Sequence, residues 1–367
     1  MVYVPAGALK GRGTAWAIEH RFTGEQHESF DDGWGTLERV ACSQAAVPAT
    51  QILEQQVRSI LSGNDSPDIA FDLSINPYRG CEHGCVYCFA RPTHSYLNLS
   101  PGLEFETRIL AKMNAANRLR AALSAPGYEP LPLNIGSATD AYQPTERRLR
   151  ITRGVIEVLA EFRHPFSIIT KSSGIERDID LLAPLAHDGL CAAYVSIPTL
   201  DGALARIMEP RATAPQRRLR TIERLALAGI PVGVSVSPLI PFINDPELER
   251  VLAQARSAGA SSAFATPLRL PWEVNPLFQQ WLSVHFPERS ERVMARVRDL
   301  RGGRDNDARF GHRMKGQGVW GDLLSQRFAK ATARLDLRTD RLDLDFTQFR
   351  RRDQAAGSGG PRQACLF

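Results

Sequence analysis

From Ala70 onward the chain alternates short apolar runs with longer amphipathic stretches. The runs are "AFDLSI" (Ala70–Ile75), "LNIGS" (Leu133–Ser137), "FSIITK" (Phe166–Lys171), "AAYVSI" (Ala192–Ile197), "VGVSVSPL" (Val232–Leu239) and "AFATPLRL" (Ala263–Leu270). Each is mostly apolar, as in strands covered on both faces. Between them "RITRGVIEVLAEFR", "IERDIDLLAPLAHDG", "APQRRLRTIERLALAGIP" and "NDPELERVLAQARSAGA" predict helices. The second and third stop at Gly189 and Gly229, and the fourth opens on an Asn cap, a proline and acids. Strands alternating with helices imply a parallel sheet with right-handed crossovers. Six units in series predict an α/β fold, a partial (β/α)6 barrel. No GxGxxG follows any strand, which argues against dinucleotide binding. Active sites of such barrels lie at the C-terminal strand ends, so the residues just after each strand should converge.

The flanks read differently. Residues 1–69 form an N-terminal extension with one predicted helix near Glu54–Leu61. Beyond Pro271 the pattern turns helical ("EVNPLFQQWLSVHF", "ERSERVMARVRDLRGG", "WGDLLSQRFAKATARL"), predicting a helical C-terminal cap over 271–345. Residues 346–367 read as a disordered tail, since "AAGSGGP" has nothing to pack. The barrel itself is expected over 70–270.

With 43% hydrophobic and 23% charged residues in 367, the composition is globular. No apolar run approaches the ~20 residues that span a bilayer. "MVYVPAGALKGRG" lacks the apolar region of a signal peptide, so the expected compartment is the cytosol, with no membrane partner. The net charge is +5, with arginines bunched at 147–153, 217–220, 289–304 and 350–352. Interspersed acids make these read as solvated helix faces, although a basic face would attract phosphates.

Three of the six cysteines stand together in "GCEHGCVYCFARPTH", at Cys81, Cys85 and Cys88, directly after the first predicted strand. In a reducing compartment, clustered cysteines point to metal or catalysis before disulfides. Zinc would want a fourth ligand, from His83 or His94. A [4Fe–4S] cluster is usually held by four thiolates, so three would leave one iron open to a non-protein ligand.

The spacing C-x3-C-x2-C with an aromatic before the last cysteine, "CEHGCVYC", resembles the signature of radical S-adenosylmethionine (SAM) enzymes. "INPYRGCEHGCVYCFARPTHSYLNLSPGLEFETRILAK", "TDAYQPTERRLRITRGVIEVL", "SIITKS", "MEPRA", "AGIPVGVSVSPLIPFIND" and "LRLPWEVNPLFQQWL" extend the resemblance to a bacterial spore-photoproduct-lyase-like subfamily, over roughly Ile75 to Leu335. The resemblance implies a radical-SAM barrel with a [4Fe–4S] cluster on Cys81, Cys85 and Cys88. SAM would chelate the open iron, and a flavodoxin- or ferredoxin-like donor would supply the electron that releases a 5′-deoxyadenosyl radical. It further implies that Val86 and Tyr87 pack by the cluster and the adenine, and that Lys171 binds the methionine carboxylate with help from Ser196. Thr139 and Asp140 would bond the methionine amine or a neighbouring loop, or form a simple Asx turn. Glu209 and Arg211 would bond the ribose or each other. The substrate stays open, with DNA or RNA as the suggested class.

One departure stands out. The lyases keep a hydrogen-donating cysteine near the end of the second strand, and this chain has none between Leu133 and Tyr142. Ser137 and Ala138 stand there instead. A serine O–H is a poor hydrogen-atom donor, which argues against thymine-dimer repair and leaves radical generation intact. Cys191 opens the fourth strand, the wrong end for chemistry, and is expected in the core. The alternative class is a zinc-stabilised nucleic-acid-binding protein without radical chemistry. Finally, "QACLF" resembles the Q-x-x-L-F pattern that binds the bacterial sliding clamp. Leu366 and Phe367 would fill an apolar pocket and Gln363 a polar rim; the other reading is a plain disordered end.

Overall fold

The computed structural model describes residues 9, 11–23, 49–340 and 343–351. Two short strands come first, β1 (Gln51–Gln55) and β2 (Leu61–Gly63). β3 (Leu73–Ile75) opens the main sheet. β4 (Tyr78–Arg79) and β5 (Arg108–Lys112) flank the cysteine segment. β6 (Leu133–Ile135), β7 (Phe166–Thr170), β8 (Cys191–Ser196), β9 (Val232–Leu239) and β10 (Ser262–Pro267) follow. The main sheet has the order β10-β9-β8-β7-β6-β3-β2. Its six strands from β3 to β10 are all parallel and in sequence order, and β2 runs antiparallel along the β3 edge. The sheet is open, so this is the expected partial barrel. All six predicted strands are present, with ends shifted by at most three residues.

The predicted helix near Glu54–Leu61 is absent: that stretch forms β1 and β2. Ile52 lies in parallel register with Ile109 of β5, and Leu61 pairs antiparallel with Ile75. Between them the Asn114 side chain accepts from the Val57 N–H and donates to its carbonyl, both at 2.9 Å. Pairing with existing strand edges outweighs the local helix preference.

The strands are also less uniform than their sequences suggested. Leu133, Ile135, Phe166, Ile168, Val195, Val232, Val234 and Val236 pack in one core with Val155, Leu159, Leu182, Ile222, Leu225, Val251 and Leu252 of the outer helices. Those helices are Ile151–Glu161, Ile179–His187, Pro215–Leu227 and Leu248–Ser257. The opposite, concave face is mostly small and polar. The helices Val274–His285 and Ser290–Leu300 build a second core with Val86, Tyr87, Ile240, Leu268 and Leu270. They therefore pack against the cysteine segment and the strand ends. Among the described residues no helix is long and apolar enough to cross a membrane.

The chain end is strapped across the other end of the sheet. Asp345 N–H donates to Gly189 O and Arg350 N–H to Phe162 O, both at 2.9 Å. Phe349 packs on Tyr128, Phe162 and His164. His164 is neutral there: its Nδ1 donates to Pro165 O and its Nε2 accepts from the Tyr128 hydroxyl, both at 2.8 Å. Burial pulls its pKa down to about 4. A histidine lowered on folding contributes stability above its unfolded value of ~6.5, and loses that contribution as pH falls toward 4. The urea midpoint should therefore drop between about pH 7.5 and 5, and drop less in His164→Gln. Equal drops would show that His164 is not the group responsible.

Candidate active site

The loop carrying the cysteines is fixed from three sides. Gly80 enters it at φ +79, and a Cβ there would lie 2.9 Å from Phe105 O, so no other residue fits. Its carbonyl accepts from Thr139 Oγ1 at 2.6 Å and Gln143 Nε2 at 3.3 Å. Glu82 N–H donates to Gln143 Oε1 at 2.9 Å, while the Glu82 carboxylate accepts from Thr145 N–H at 2.7 Å and pairs with Arg211 at 3.0 Å. Beneath the loop Arg91 donates to Gly84 O and Cys85 O and pairs with Glu106 at 2.6 Å. Glu106 in turn accepts from the Gly13 and Thr14 N–H groups, so the N-terminal extension clamps the third side.

Cys81 and Cys85 are buried and Cys88 is half-buried. Burial pushes all three thiols up, and Cys81 also feels Asp140, Cys85 and Cys88. The three thus lie in one another's field. Thiolates there need a cation, which a bound metal supplies outright, and three thiols are three of the four ligands that an iron–sulfur cluster usually takes. The side chains suit that group chemically. Among the described residues no three Cys, His, Asp or Glu side chains are arranged around a single metal ion. Of the two histidines considered as zinc ligands, His83 Nδ1 lies 3.3 Å from Asp140, and His94 Nε2 donates to Arg108 O at 3.0 Å.

Beside the loop, the ends of β6, β7 and β8 converge as expected. Asp140 accepts from Thr170 Oγ1 and the Lys171 N–H, both at 2.7 Å, and from Tyr142 N–H at 2.9 Å. It is both an Asx turn and a brace to the neighbouring loop. Burial opposes its charge, but His83 and these donors outweigh burial and hold its pKa low. Lys171, with 19% of its side chain exposed, has its ammonium 3.9 Å from Glu209 and 5.9 Å from the Tyr87 ring centroid. Burial works against this charge too, but Glu209 and Cys85 outweigh it and raise the pKa. Glu209 accepts from the Tyr87 hydroxyl and pairs with Arg218. Arg218 also donates to Ser196 O at 2.8 Å.

Two expectations need correcting. Glu209 and Arg211 do not pair with each other: Arg211 turns away to Glu82 and Thr50, and Arg218 takes its place. Nor is "RRLR" simply a solvated face, because Arg218 is 1% exposed. The signal was present in its spacing, since Arg218 shares a helix stripe with Ile222 and Leu225. Cys191 is in the core, its thiol 3.2 Å from Leu182 O. Cys42, Cys365, Gln363, Leu366 and Phe367 lie outside the described residues.

Comparison with known proteins agrees with this geometry. The model of the Radical SAM superfamily matches residues 75–255. An uncharacterised protein of Mycobacterium tuberculosis (strain ATCC 25618 / H37Rv), Rv2578c, is 36% identical over 234 residues, 63% of this chain and 68% of that one. MJ0683 of Methanocaldococcus jannaschii, also uncharacterised, is 27% identical over 173 residues, 47% of this chain and 62% of that one. Among solved structures, a spore photoproduct lyase mutant superposes with a TM-score of 0.55 at 15% identity, covering 80% of this chain and 86% of that one. Another, with bound AdoMet and dinucleoside spore photoproduct, gives 0.54 at 13% identity, covering 81% and 87%. At such identities the likeness is one of fold. The chain belongs to the radical SAM superfamily and is a radical SAM enzyme. Enzymes of this superfamily use SAM and an iron–sulfur cluster and need a reductant. None of the comparisons favours the zinc-protein alternative.

Proposed function

We propose that the chain holds a [4Fe–4S] cluster on Cys81, Cys85 and Cys88 and binds SAM against the ends of β6 to β8. The observation that carries this reading is the set of three neighbouring thiols, two buried and one half-buried, on one fixed loop beside a lysine already poised at those strand ends. Bound there, the cluster and SAM supply a 5′-deoxyadenosyl radical by one-electron cleavage of the sulfonium, with a flavodoxin- or ferredoxin-like protein as donor. Tyr87, held through Glu209, presents its ring to the adenine. Lys171 offers its ammonium to the methionine carboxylate, and Ser196 offers its hydroxyl. Thr139 and Asp140 act as positioning residues for the cysteine loop and Lys171. Arg211 does the same through Glu82. Glu209, with both oxygens engaged, reaches a ribose only by releasing Tyr87. In this reading residues 70–270 carry the chemistry, 1–69 and 271–345 enclose it, and 346–367 form the tail, whose first residues, Phe346 to Arg350, are not free as expected but packed on the body through Phe349 and Arg350. Nucleic acid, DNA or RNA, is the proposed substrate class, supported by the net charge of +5 and by the likeness in fold to a spore photoproduct lyase with a bound dinucleoside spore photoproduct.

The test is SAM affinity. A charged hydrogen bond in a partly dry site is worth ~1.5–3 kcal/mol, so Lys171→Ala should weaken SAM binding ~10–100-fold while iron content stays native. Unchanged affinity by calorimetry would remove Lys171 from the site. The tail carries a separate proposal, that Gln363, Leu366 and Phe367 bind a sliding clamp. Deleting Gln363–Phe367 should abolish clamp capture in a pull-down and leave iron content unchanged. Capture that survives the deletion would reject it.

A further inference from the structure

The small sheet β1-β5-β4 has two unlike faces. Ile109, Ala111 and Tyr78 are buried in the same core as Ile75 and Ile135 of the main sheet. The alternate residues of these strands therefore point the other way, away from the main sheet. In register, Leu53, Leu110 and Arg79 form one row across this outer face, and Gln55 and Lys112 stand in the next. Leu53 is 42% exposed and Met113, just past β5, 38%. Arg79 is exposed too, and Lys112, its diagonal neighbour on the antiparallel pair, is buried.

The charges here are not balanced. Burial and the Arg79 charge both pull Lys112 down, to about 8, and no carboxylate acts to raise it. Glu104, at the start of β5, is spent on Arg108 at 3.2 Å. Arg118 is exposed past the end of β5, and its Nε donates to the Val57 carbonyl at 3.1 Å rather than to an acid. Like charges held together weaken the compact state, and an anionic partner relieves that cost.

Position indicates which anion. Arg79 leads through Gly80 straight into Cys81. The Cys81 N–H donates to Phe105 O at 2.9 Å, and His94 Nε2 donates to Arg108 O at 3.0 Å, so β5 also adjoins the cysteine loop. A substrate has to reach the ends of β6 to β8, whereas an electron donor has only to approach the cysteines. Exposed leucine and methionine among cations suit a protein surface better than a phosphate backbone. Electron-transfer encounters need little area, below about 1,200 Å².

We propose that this outer face, centred on Arg79 and Lys112 with Leu53 and Met113 beside them, is the docking surface for the electron donor, an acidic one-electron carrier protein. The inference rests on the cluster assignment made above. In the step it serves, the donor loses one electron to the cluster.

The probes are an acidic bacterial flavodoxin and an acidic bacterial ferredoxin, titrated by calorimetry into the cluster-loaded protein. At least one should bind, and Arg79→Glu should weaken it ~10-fold at low salt. The difference should vanish near 1 M salt, where charges are screened within about 3 Å. Arg79→Lys should bind as the native chain does, and so should Arg220→Glu, which makes the same charge change at an exposed site on the helix Pro215–Leu227. Arg79→Glu removes the repulsion on Lys112, so it should melt no lower than the native protein. SAM cleavage driven by the bound carrier should slow with the affinity, while cleavage driven by dithionite should not. Binding of neither carrier, native affinity in Arg79→Glu, equal weakening in Arg220→Glu, or an equal loss with dithionite would overturn the proposal. So would a single-stranded oligonucleotide that displaces the carrier from the native protein, since the face would then belong to nucleic acid. A native protein that binds the carrier as expected but cleaves no SAM even with dithionite would overturn the radical chemistry and leave the docking surface standing.

Discussion

Cys81→Ala, Cys85→Ala and Cys88→Ala should each purify anaerobically without colour, with iron and sulfide near zero, whereas Cys191→Ala should carry as much iron as the native chain. The contrast follows from position. The first three thiols, two buried and Cys88 half-buried, lie beside one another on a loop whose backbone is fixed by Thr139, Gln143 and Arg91. Each would hold one iron, and two remaining thiolates do not retain a cluster that normally takes four ligands. Among the described residues no other cysteine approaches that loop. Cys191 starts β8, at the opposite end of the sheet, and its thiol is occupied by the Leu182 carbonyl. Native iron in Cys85→Ala would sink the ligand assignment. Iron lost equally in Cys191→Ala would mean that the assay reports general destabilisation, not ligation.

The sequence announced the six parallel strands because each needs an apolar face against a helix, and that requirement shows in local runs. It also announced the cysteine loop, because its chemistry depends on close spacing. What it concealed was set by tertiary pairing. β1 and β2 exist because β5 and β3 offer edges, and nothing within "QILEQQVRSIL" says so. The role of Arg218 needed its helix stripe to be aimed at Glu209, nine residues earlier in the chain but across a turn. The concave face was misread because Ser235 and Ser237 alternate with valines, so a strand that is apolar on one side looked apolar throughout.

Arg91→Met should destabilise the cluster-free protein by about 3–5 kcal/mol, the cost of stranding one partner of a buried ion pair. Arg91 is 0% exposed and uses its whole guanidinium. Nε donates to Cys85 O, Nη1 to Pro101 O and Gly102 O, and Nη2 to Gly84 O and Glu106. Methionine fills similar volume but satisfies none of these acceptors, two of which belong to the cysteine loop. The Glu106 carboxyl is already pushed up by burial, with Arg91 the main opposing influence. Without Arg91 it should hold its proton more tightly in the folded than in the unfolded chain. A folded state that binds more protons loses stability as pH rises, so the deficit of Arg91→Met should widen in urea titrations as pH is raised above the unfolded carboxyl value of about 4.3. Adding Glu106→Gln removes the stranded charge and should recover part of the loss and flatten the pH dependence. A single variant as stable as the native chain, or a deficit that does not change with pH, would show that the pair does not hold the loop as its geometry indicates.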